Sequence, residues 1–356
     1  MNKREFLKTS LVAVGGLGLL PNLTISAFAD GNQNDKQKKF AKKTLQVNKR
    51  EKLLSVLDQS KPNRYVPAAF FMHFNEKFGQ PAVQRHIEYF RATNMDMMKV
   101  QYELSVPKLD IKKAEDWAKV PVYGKDFFEP ELALIEVLAK ELKSETMILP
   151  TVYCPFNLAL QTLGFNVVQH AKENPDAVAK GLQNLTESVL IYVREAIKRG
   201  ADGFYYSTQG GDSKHFAETD LFKKLIAASD MPVLQEISDN ALLNILHICD
   251  YESQYNEILK FRNYPASIIN PPFELKNGDR IRVKNVQEEF HRPVMGGLYR
   301  HSVISGGNFN QIQPEIDNLM HEAPQNFILA ADCTVHSDWQ TLRQVIDYAH
   351  DWREKH

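Results

Sequence analysis

The chain has 356 residues, and its 43 lysines and arginines nearly balance its 44 aspartates and glutamates. This balance gives no indication of nucleic-acid binding, because proteins that bind phosphate backbones concentrate positive charge. Hydrophobic residues make up 43% of the chain and charged residues 24%, as in folded domains. The length suits one large α/β barrel as well as two smaller domains.

The amino terminus has the pattern of an export signal at 1–29. A basic start is followed by an apolar stretch at 11–20 and by a small-x-small cleavage site at 27–29. The apolar stretch is too short to span a bilayer, so we expect no stable membrane span once the signal is removed. Lys3-Arg4 resembles a twin-arginine signal with lysine in the first position, so both that route and general secretion remain open. We expect an exported, periplasmic protein.

The remaining chain is predicted to contain a basic linker at 30–48 and one domain at 49–356. In this domain short apolar runs, typical of strands, alternate with longer amphipathic stretches, typical of helices. The predicted strands are 65–71, 96–102, 146–153, 202–207, 232–237, 242–249, 266–270, 293–298 and 327–331. The predicted helices include 81–92, 130–142, 176–199, 221–228 and 339–352. This alternation favours a closed (β/α)₈ TIM barrel, an α/β fold whose active site lies at the carboxyl ends of its strands.

Two of the three cysteines stand in a pattern typical of a catalytic zinc site. His247 and Cys249 are two residues apart in a predicted strand, so their side chains share one face. Cys333 follows another predicted strand, which would bring three ligands to one edge of the sheet and leave zinc an open position. Two alternatives stay open, a disulfide between Cys249 and Cys333 and simple packing of buried thiols. Cys154 is interpreted as a packing residue.

Several short motifs of the mature chain resemble the uroporphyrinogen decarboxylase superfamily. The resemblance extends over nearly the whole mature chain, and that superfamily is built on a (β/α)₈ barrel. The motifs are KREKLL at 49–54 through Val66-Pro67, NMD at 94–96, RGADG at 199–203, LHIC at 246–249 and FIL at 327–329 before Cys333.

Two positions of the resemblance bear on the decarboxylase chemistry. Where the porphyrinogen decarboxylases have the segment FMRQAGR, residues 71–77 read FMHFNEK, so His73 replaces the first arginine. Glu103 aligns with the catalytic aspartate of those enzymes. A histidine cannot pair bidentately with a carboxylate as arginine does, so decarboxylation of uroporphyrinogen itself is not expected. Glu103 and His73 are nevertheless candidate catalytic residues.

The chain is most similar to the zinc-dependent methyltransferase branch, the methylcobamide:coenzyme M type, which shares a His-x-Cys pair and a distant cysteine. The resemblance implies that His247, Cys249 and Cys333 bind zinc, and that a corrinoid (cobalamin) gives or accepts the methyl group. Zinc would convert a bound thiol into a nucleophilic thiolate. The resemblance also implies a small-molecule substrate and a corrinoid protein as partner, and a homodimer is the ordinary expectation.

Other polar residues at strand ends complete the predicted site. Tyr206 is a further candidate catalytic residue, and Gln209 and Asp332 are candidate cofactor-binding residues. His336, three residues after Cys333, could also approach the metal. Two other functions remain open: a carboxy-lyase that acts through Glu103, and a non-catalytic protein that binds a corrinoid or porphyrin.

Overall fold

Seven parallel strands follow one another around a single sheet in the order in which they occur in the chain. The computed structural model describes residues 48–164, 166–217 and 219–356, so the predicted signal at 1–29 and the linker at 30–48, except its last residue, lie outside the described residues. The strands are β1 (Met97–Val100), β2 (Met147–Tyr153), β3 (Gly203–Thr208), β4 (Leu243–Ile248), β5 (Ile268–Asn270), β6 (Val294–Leu298) and β7 (Phe327–Ala331).

Helices connect the strands and cover the outside of the sheet. The α-helices are Lys49–Ser55, Gly79–Thr93, Lys125–Leu142, Pro155–Leu163, Asn166–Glu173, Pro175–Lys198, Thr219–Leu221, Ala228–Asn240, Val283–Phe290, Phe309–Glu322 and Trp339–Lys355. Short 3₁₀ turns lie at Ala114–Lys119 and Leu259–Phe261. Side-chain caps begin several helices; for example, Asn174 accepts a hydrogen bond from the Ala177 N–H at the start of the longest one. In the part of the chain that the structure describes, no helix has both the length and the apolar character needed to cross a membrane.

An extended segment around Ala68 closes the barrel between β7 and β1. The Ala69 N–H donates to the Leu329 carbonyl (3.0 Å), and the Leu329 N–H donates to the Pro67 carbonyl (2.9 Å). On the other side, the Asp96 N–H donates to the Ala68 carbonyl (3.0 Å). The predicted strand 65–71 therefore occupies the eighth position of the barrel, although only a single bridge, Ala68 to Leu329, has regular strand pairing. The predicted (β/α)₈ fold class is confirmed.

A buried carboxylate holds this closure together at the amino-terminal end of the barrel. Asp96 accepts hydrogen bonds from the Tyr65 hydroxyl (2.6 Å) and the Ala68 N–H (2.8 Å). Its second oxygen also lies 2.7 Å from Nε2 of His350, in the last helix, and the His350 ring stacks on Tyr65. This cluster serves stability rather than chemistry, because the active site of such a barrel lies at the opposite end, where the strands end.

The prediction of a strand at 232–237 is wrong, because these residues lie in the helix Ala228–Asn240. Val233, Leu234 and Ile237 are fully buried, and this spacing places them on one helical face. Pro232 lies inside this helix although it has no N–H to donate to the preceding turn. The six residues before the helix, Phe222–Ala227, form a wider π-helical stretch. A short apolar run of this kind is typical of a strand, but the helical spacing of its buried residues agrees with the helix that the structure shows.

Candidate metal centre and active-site pocket

A pocket of about 360 Å³ opens at the carboxyl ends of the strands. This volume is in the range of small-molecule sites and suits a substrate much smaller than a tetrapyrrole. Phe71, Tyr153 and Tyr205 give it aromatic walls, and Tyr251 stands at its mouth with 70% of its surface exposed. The pocket lies where the (β/α)₈ fold places its active site.

His247, Cys249 and Cys333 meet in this pocket, with one ligand atom from each lying within 4.8 Å of the others. His247 is in β4 and Cys249 directly follows it, so both side chains point inward from one strand. Cys333 follows β7, which is separated from β4 by β5 and β6. All three cysteines of the chain, including the buried Cys154 outside this cluster, are free thiols. The two cysteines of the cluster are thus brought together by the curvature of the barrel.

The surroundings of His247 fit a bound cation. Its ring stacks on Tyr205, with centroids 5.0 Å apart, and the Tyr205 hydroxyl donates to Asn270 (2.6 Å). Nδ1 of His247 is buried and has no hydrogen-bond partner among the described residues. Buried polar atoms are normally paired, and a cation held by the histidine would supply the interaction that the ring lacks. One nitrogen and two sulfur donors are also ligands that zinc prefers.

The two thiols of the cluster differ in acidity because they lie side by side. Contact with the Cys333 thiol lowers the pKa of Cys249, burial opposes this effect, and a hydrogen bond from Gln209 assists it. The same contact, together with burial, raises the pKa of Cys333 to about 12. Two neighbouring thiols do not both ionise easily unless a positive charge compensates them, which a divalent cation would do.

A chain of side-chain amides leads from the pocket rim to Cys249. The Gln209 amide donates to Cys249 Sγ (3.3 Å), and Asn157 donates to the Gln209 carbonyl (2.6 Å). Gln161 donates to Asn157 (3.1 Å) and accepts from the Val106 N–H (3.2 Å). Each amide in this series donates its N–H in the direction of the sulfur, so the arrangement favours a thiolate at Cys249. Gln209, which was predicted to bind a cofactor, thus donates a hydrogen bond to a candidate metal ligand.

Lys99 is a pocket residue that the sequence analysis missed. Its ammonium group lies 5.0 Å from the ring centroid of Phe71 and 5.2 Å from that of Tyr205. Among the described residues it makes no hydrogen bond or salt bridge, and burial lowers its pKa to about 8. A signal was available, because Lys99 is the one charged residue in the apolar run 97–100. An unpaired cation inside a pocket can bind an anionic group of a ligand.

Glu103 and His73, both predicted as catalytic residues, lie together at the pocket rim. Nδ1 of His73 is 2.8 Å from Oε1 of Glu103. His73 lines the pocket with 49% of its side chain exposed, whereas the Glu103 side chain is 14% exposed. The Glu103 N–H donates to buried Glu131 (2.7 Å), which fixes the start of this loop. The pair could exchange a proton with a substrate at the mouth.

Tyr206 does not lie in the pocket, so its predicted position is wrong. Its hydroxyl donates to Asp230 (2.7 Å), and Thr208 donates to the same carboxylate (2.6 Å), on the helix side of β3. Tyr205 lines the pocket instead, because successive residues of a strand point to opposite faces. Tyr206, the residue predicted from the sequence, is therefore the wrong one of two adjacent tyrosines.

The remaining candidates lie next to the pocket rather than in its wall. Asp332 precedes Cys333, but its carboxylate accepts hydrogen bonds from the backbone N–H (2.7 Å) and the guanidinium (2.5 Å) of Arg300. His336 is exposed, its N–H donates to Ser305, and it is not part of the metal-ligand cluster. Asp332 can therefore support the site from behind, and His336 does not reach it.

A family model of uroporphyrinogen decarboxylase (URO-D) matches residues 91–352, most of the chain. The chain belongs to this family. A search of curated protein sequences found no match. The URO-D match agrees with the barrel and with the resemblance stated from the short motifs.

Two solved structures show the same fold at low sequence identity. A methyltransferase from Methanosarcina mazei is 14% identical with a TM-score of 0.70, and the alignment covers 86% of this chain and 99% of that one. A B12-independent methionine synthase from Shewanella sp. W3-18-1, in complex with selenomethionine, is 10% identical with a TM-score of 0.54, and the alignment covers 83% of this chain and 95% of that one. At these identities the likeness establishes a shared fold.

Proposed function

We propose that this protein is a zinc-dependent methyltransferase that moves a methyl group between a methylated donor and a thiol. The observation that carries the proposal is the convergence of His247, Cys249 and Cys333 in the pocket. These residues would hold the metal, and three protein ligands leave a coordination position for a substrate. When bound, zinc would keep a substrate thiol in its nucleophilic thiolate form at neutral pH.

The comparisons support methyl transfer over the other activities of the family. The two similar structures are described as a methyltransferase and a methionine synthase, and both share this barrel. The position where the porphyrinogen decarboxylases carry an arginine holds His73, which cannot grip a carboxylate with two parallel hydrogen bonds. The soft donor set is the further argument, because a decarboxylase of this kind has no use for two clustered thiols.

The residues around the cluster indicate how a substrate would be held. The pocket of about 360 Å³ admits a small thiol or a small methylated compound. Lys99 would bind an anionic group of that molecule, and the aromatic faces of Phe71 and Tyr205 would exclude water around it. A corrin macrocycle is larger than this pocket, so a corrinoid donor, carried by a partner protein, would present its methyl group at the mouth beside exposed Tyr251.

We further propose that the protein acts outside the cytoplasm, as the pattern at 1–29 suggests. Coenzyme M and the usual corrinoid proteins are expected in the cytoplasm, so the natural thiol, and the partner that carries any corrinoid donor, would be different ones. Mass spectrometry of the protein recovered from its native host should give a mature chain that begins at Asp30. A chain that retains 1–29 in the cytoplasmic fraction would contradict export.

The metal content of the purified protein tests the proposed site. Native protein prepared without chelator should contain about one zinc per chain, as one site of three ligands requires. Cys333→Ala should lose the metal, whereas Cys154→Ala, a matched control at a buried cysteine outside the cluster, should retain it. Native protein without metal, or with a disulfide between Cys249 and Cys333, would refute the proposal. Zinc-loaded protein would then be assayed for methyl transfer to small thiols.

A second candidate function is a carboxy-lyase that acts on a small carboxylated substrate. It is favoured by the His73–Glu103 pair at the rim and by the unpaired Lys99 inside the pocket. Release of carbon dioxide that survives Cys333→Ala would select this function. Tight tetrapyrrole binding without turnover of any methyl donor would instead select a binding protein.

A further inference from the structure

Arg300, in the loop after β6, links the two segments that carry the clustered cysteines. Its guanidinium Nη1 lies 2.7 Å from Oδ1 of Asp250, the neighbour of Cys249. The same nitrogen lies 2.5 Å from Oδ2 of Asp332, the neighbour of Cys333. Both carboxylates are buried, and the Arg300 side chain is 11% exposed. Neither Arg300 nor Asp250 lines the pocket.

The barrel alone does not fix the distance between these segments. Cys249 lies just beyond β4, where its N–H donates to the Thr208 carbonyl on the β3 side. The Asp332 N–H donates instead to the Leu298 carbonyl on the β6 side. Because β5 and β6 separate β4 from β7, the hydrogen-bond ladder links the two segments only through intervening strands. Arg300 contributes a direct link that acts one residue away from each thiol.

The chemistry of the link suits a rigid connection. A guanidinium is planar and always charged, and it can donate to two carboxylates at once, which an ammonium does with less geometric control. The Arg300 backbone N–H also donates to Asp332 (2.7 Å), so the loop itself is fixed to the Cys333 segment. Removing the arginine would leave two buried carboxylates without their cation, which would drive the segments apart.

We propose that Arg300 is a positioning residue that holds Cys249 and Cys333 at the separation a metal ion requires. This inference rests on the proposed metal site and adds a residue that the ligand pattern does not contain. Partners outside the ligand sphere typically change metal affinity by about 10- to 100-fold when they are replaced. We expect Arg300→Met to weaken zinc binding by about this factor and Arg300→Lys to have a smaller effect.

The test compares zinc affinity, measured by competition with a chromophoric chelator, in the native protein and the variants. Arg50→Met is a matched control, since Arg50 pairs with buried Asp202 (2.8 Å) before β3, away from the pocket. It should lower stability but leave zinc affinity within about twofold, because it lies beyond the reach of the ligands. Thermal unfolding and circular dichroism establish that each variant is folded.

Cobalt substitution supplies a readout that general destabilisation would not change. The thiolate-to-cobalt absorption bands report sulfur ligation, and they should weaken or shift in Arg300→Met and stay as in the native protein in Arg50→Met. Unchanged zinc affinity and unchanged cobalt bands in folded Arg300→Met would overturn the role of Arg300 while leaving the metal site intact. Absence of metal binding in the native protein would overturn both the role of Arg300 and the proposed function.

Discussion

Asp230 allows a quantitative prediction about the misassigned Tyr206. The carboxyl group of Asp230 is fully buried behind β3 and accepts hydrogen bonds from the Tyr206 and Thr208 hydroxyls. Burial raises its pKa from the ordinary value of 3.8 to about 7, although these hydroxyls oppose the shift. Asp230 therefore binds a proton more tightly in the folded protein than in the unfolded chain.

The sign and size of the effect follow from proton linkage. Because the folded-state pKa is the higher one, the contribution of Asp230 to stability is complete below about pH 4 and is lost as the pH rises through about 7. At about 1.4 kcal/mol for each pKa unit, this difference corresponds to about 4 kcal/mol. Asp230→Asn, which resembles the protonated acid, should remove this part of the pH dependence.

Urea unfolding at about pH 5 and about pH 8 measures the effect. The stability of the native protein minus that of Asp230→Asn should fall by about 2–3 kcal/mol between the two conditions, because the rest of the effect lies below pH 5. A constant difference would refute the raised pKa, because it is the result expected if the two hydroxyls hold Asp230 as an anion throughout this pH range. Tyr206→Phe should alter this pH dependence and leave the turnover of a substrate unchanged, because Tyr206 faces away from the pocket.

Three further predictions concern the pocket and the barrel closure. Lys99→Met should weaken the binding of an anionic thiol by about 10- to 100-fold, the loss of a charged hydrogen bond, and leave a neutral thiol of equal size unaffected in calorimetry. Gln209→Leu should raise the pKa of Cys249 because it removes an N–H donor to the sulfur; an unchanged ultraviolet thiolate titration would exclude that contact. Asp96→Asn should cost about 2–4 kcal/mol in urea unfolding, through its bonds at the barrel closure with groups that include His350, without changing metal content.

Most of the fold was predictable because it follows from local periodicity. Apolar runs between amphipathic stretches identified the seven strands, with boundaries that differ by a few residues. The prediction of a strand at 232–237 failed because the short apolar run that contains Val233, Leu234 and Ile237 fits a strand as well as a helix. The closing segment around Ala68 was found, but its single bridge depends on pairing with Leu329, far away in the sequence.

The cluster of His247, Cys249 and Cys333 was predictable for a different reason. Cysteines are rare in this chain, and the strand period fixes the shared face of His247 and Cys249. In β3 it was harder to predict which side chain faces the pocket, because Tyr205 and Tyr206 are adjacent and lie in the same apolar run. Register decides between them: Ser207 pairs with His247, so the alternate residue Tyr205 shares the pocket face and Tyr206 does not.

The groups that support the cluster come from segments that local patterns do not connect. Arg300 follows β6, Lys99 lies in β1 and Gln209 follows β3, so their convergence exists only after the barrel has closed. Each acts on the cluster by a different means: Arg300 through charge and fixed geometry one residue from the thiols, Gln209 through a hydrogen bond to sulfur, and Lys99 through an unpaired charge in the pocket. Because the contributions are physically separate, a cysteine substitution alone would show only that a metal is bound. Variants of these three residues would separate metal binding, thiolate stabilisation and substrate binding, and so distinguish a methyltransferase from a protein that merely holds zinc.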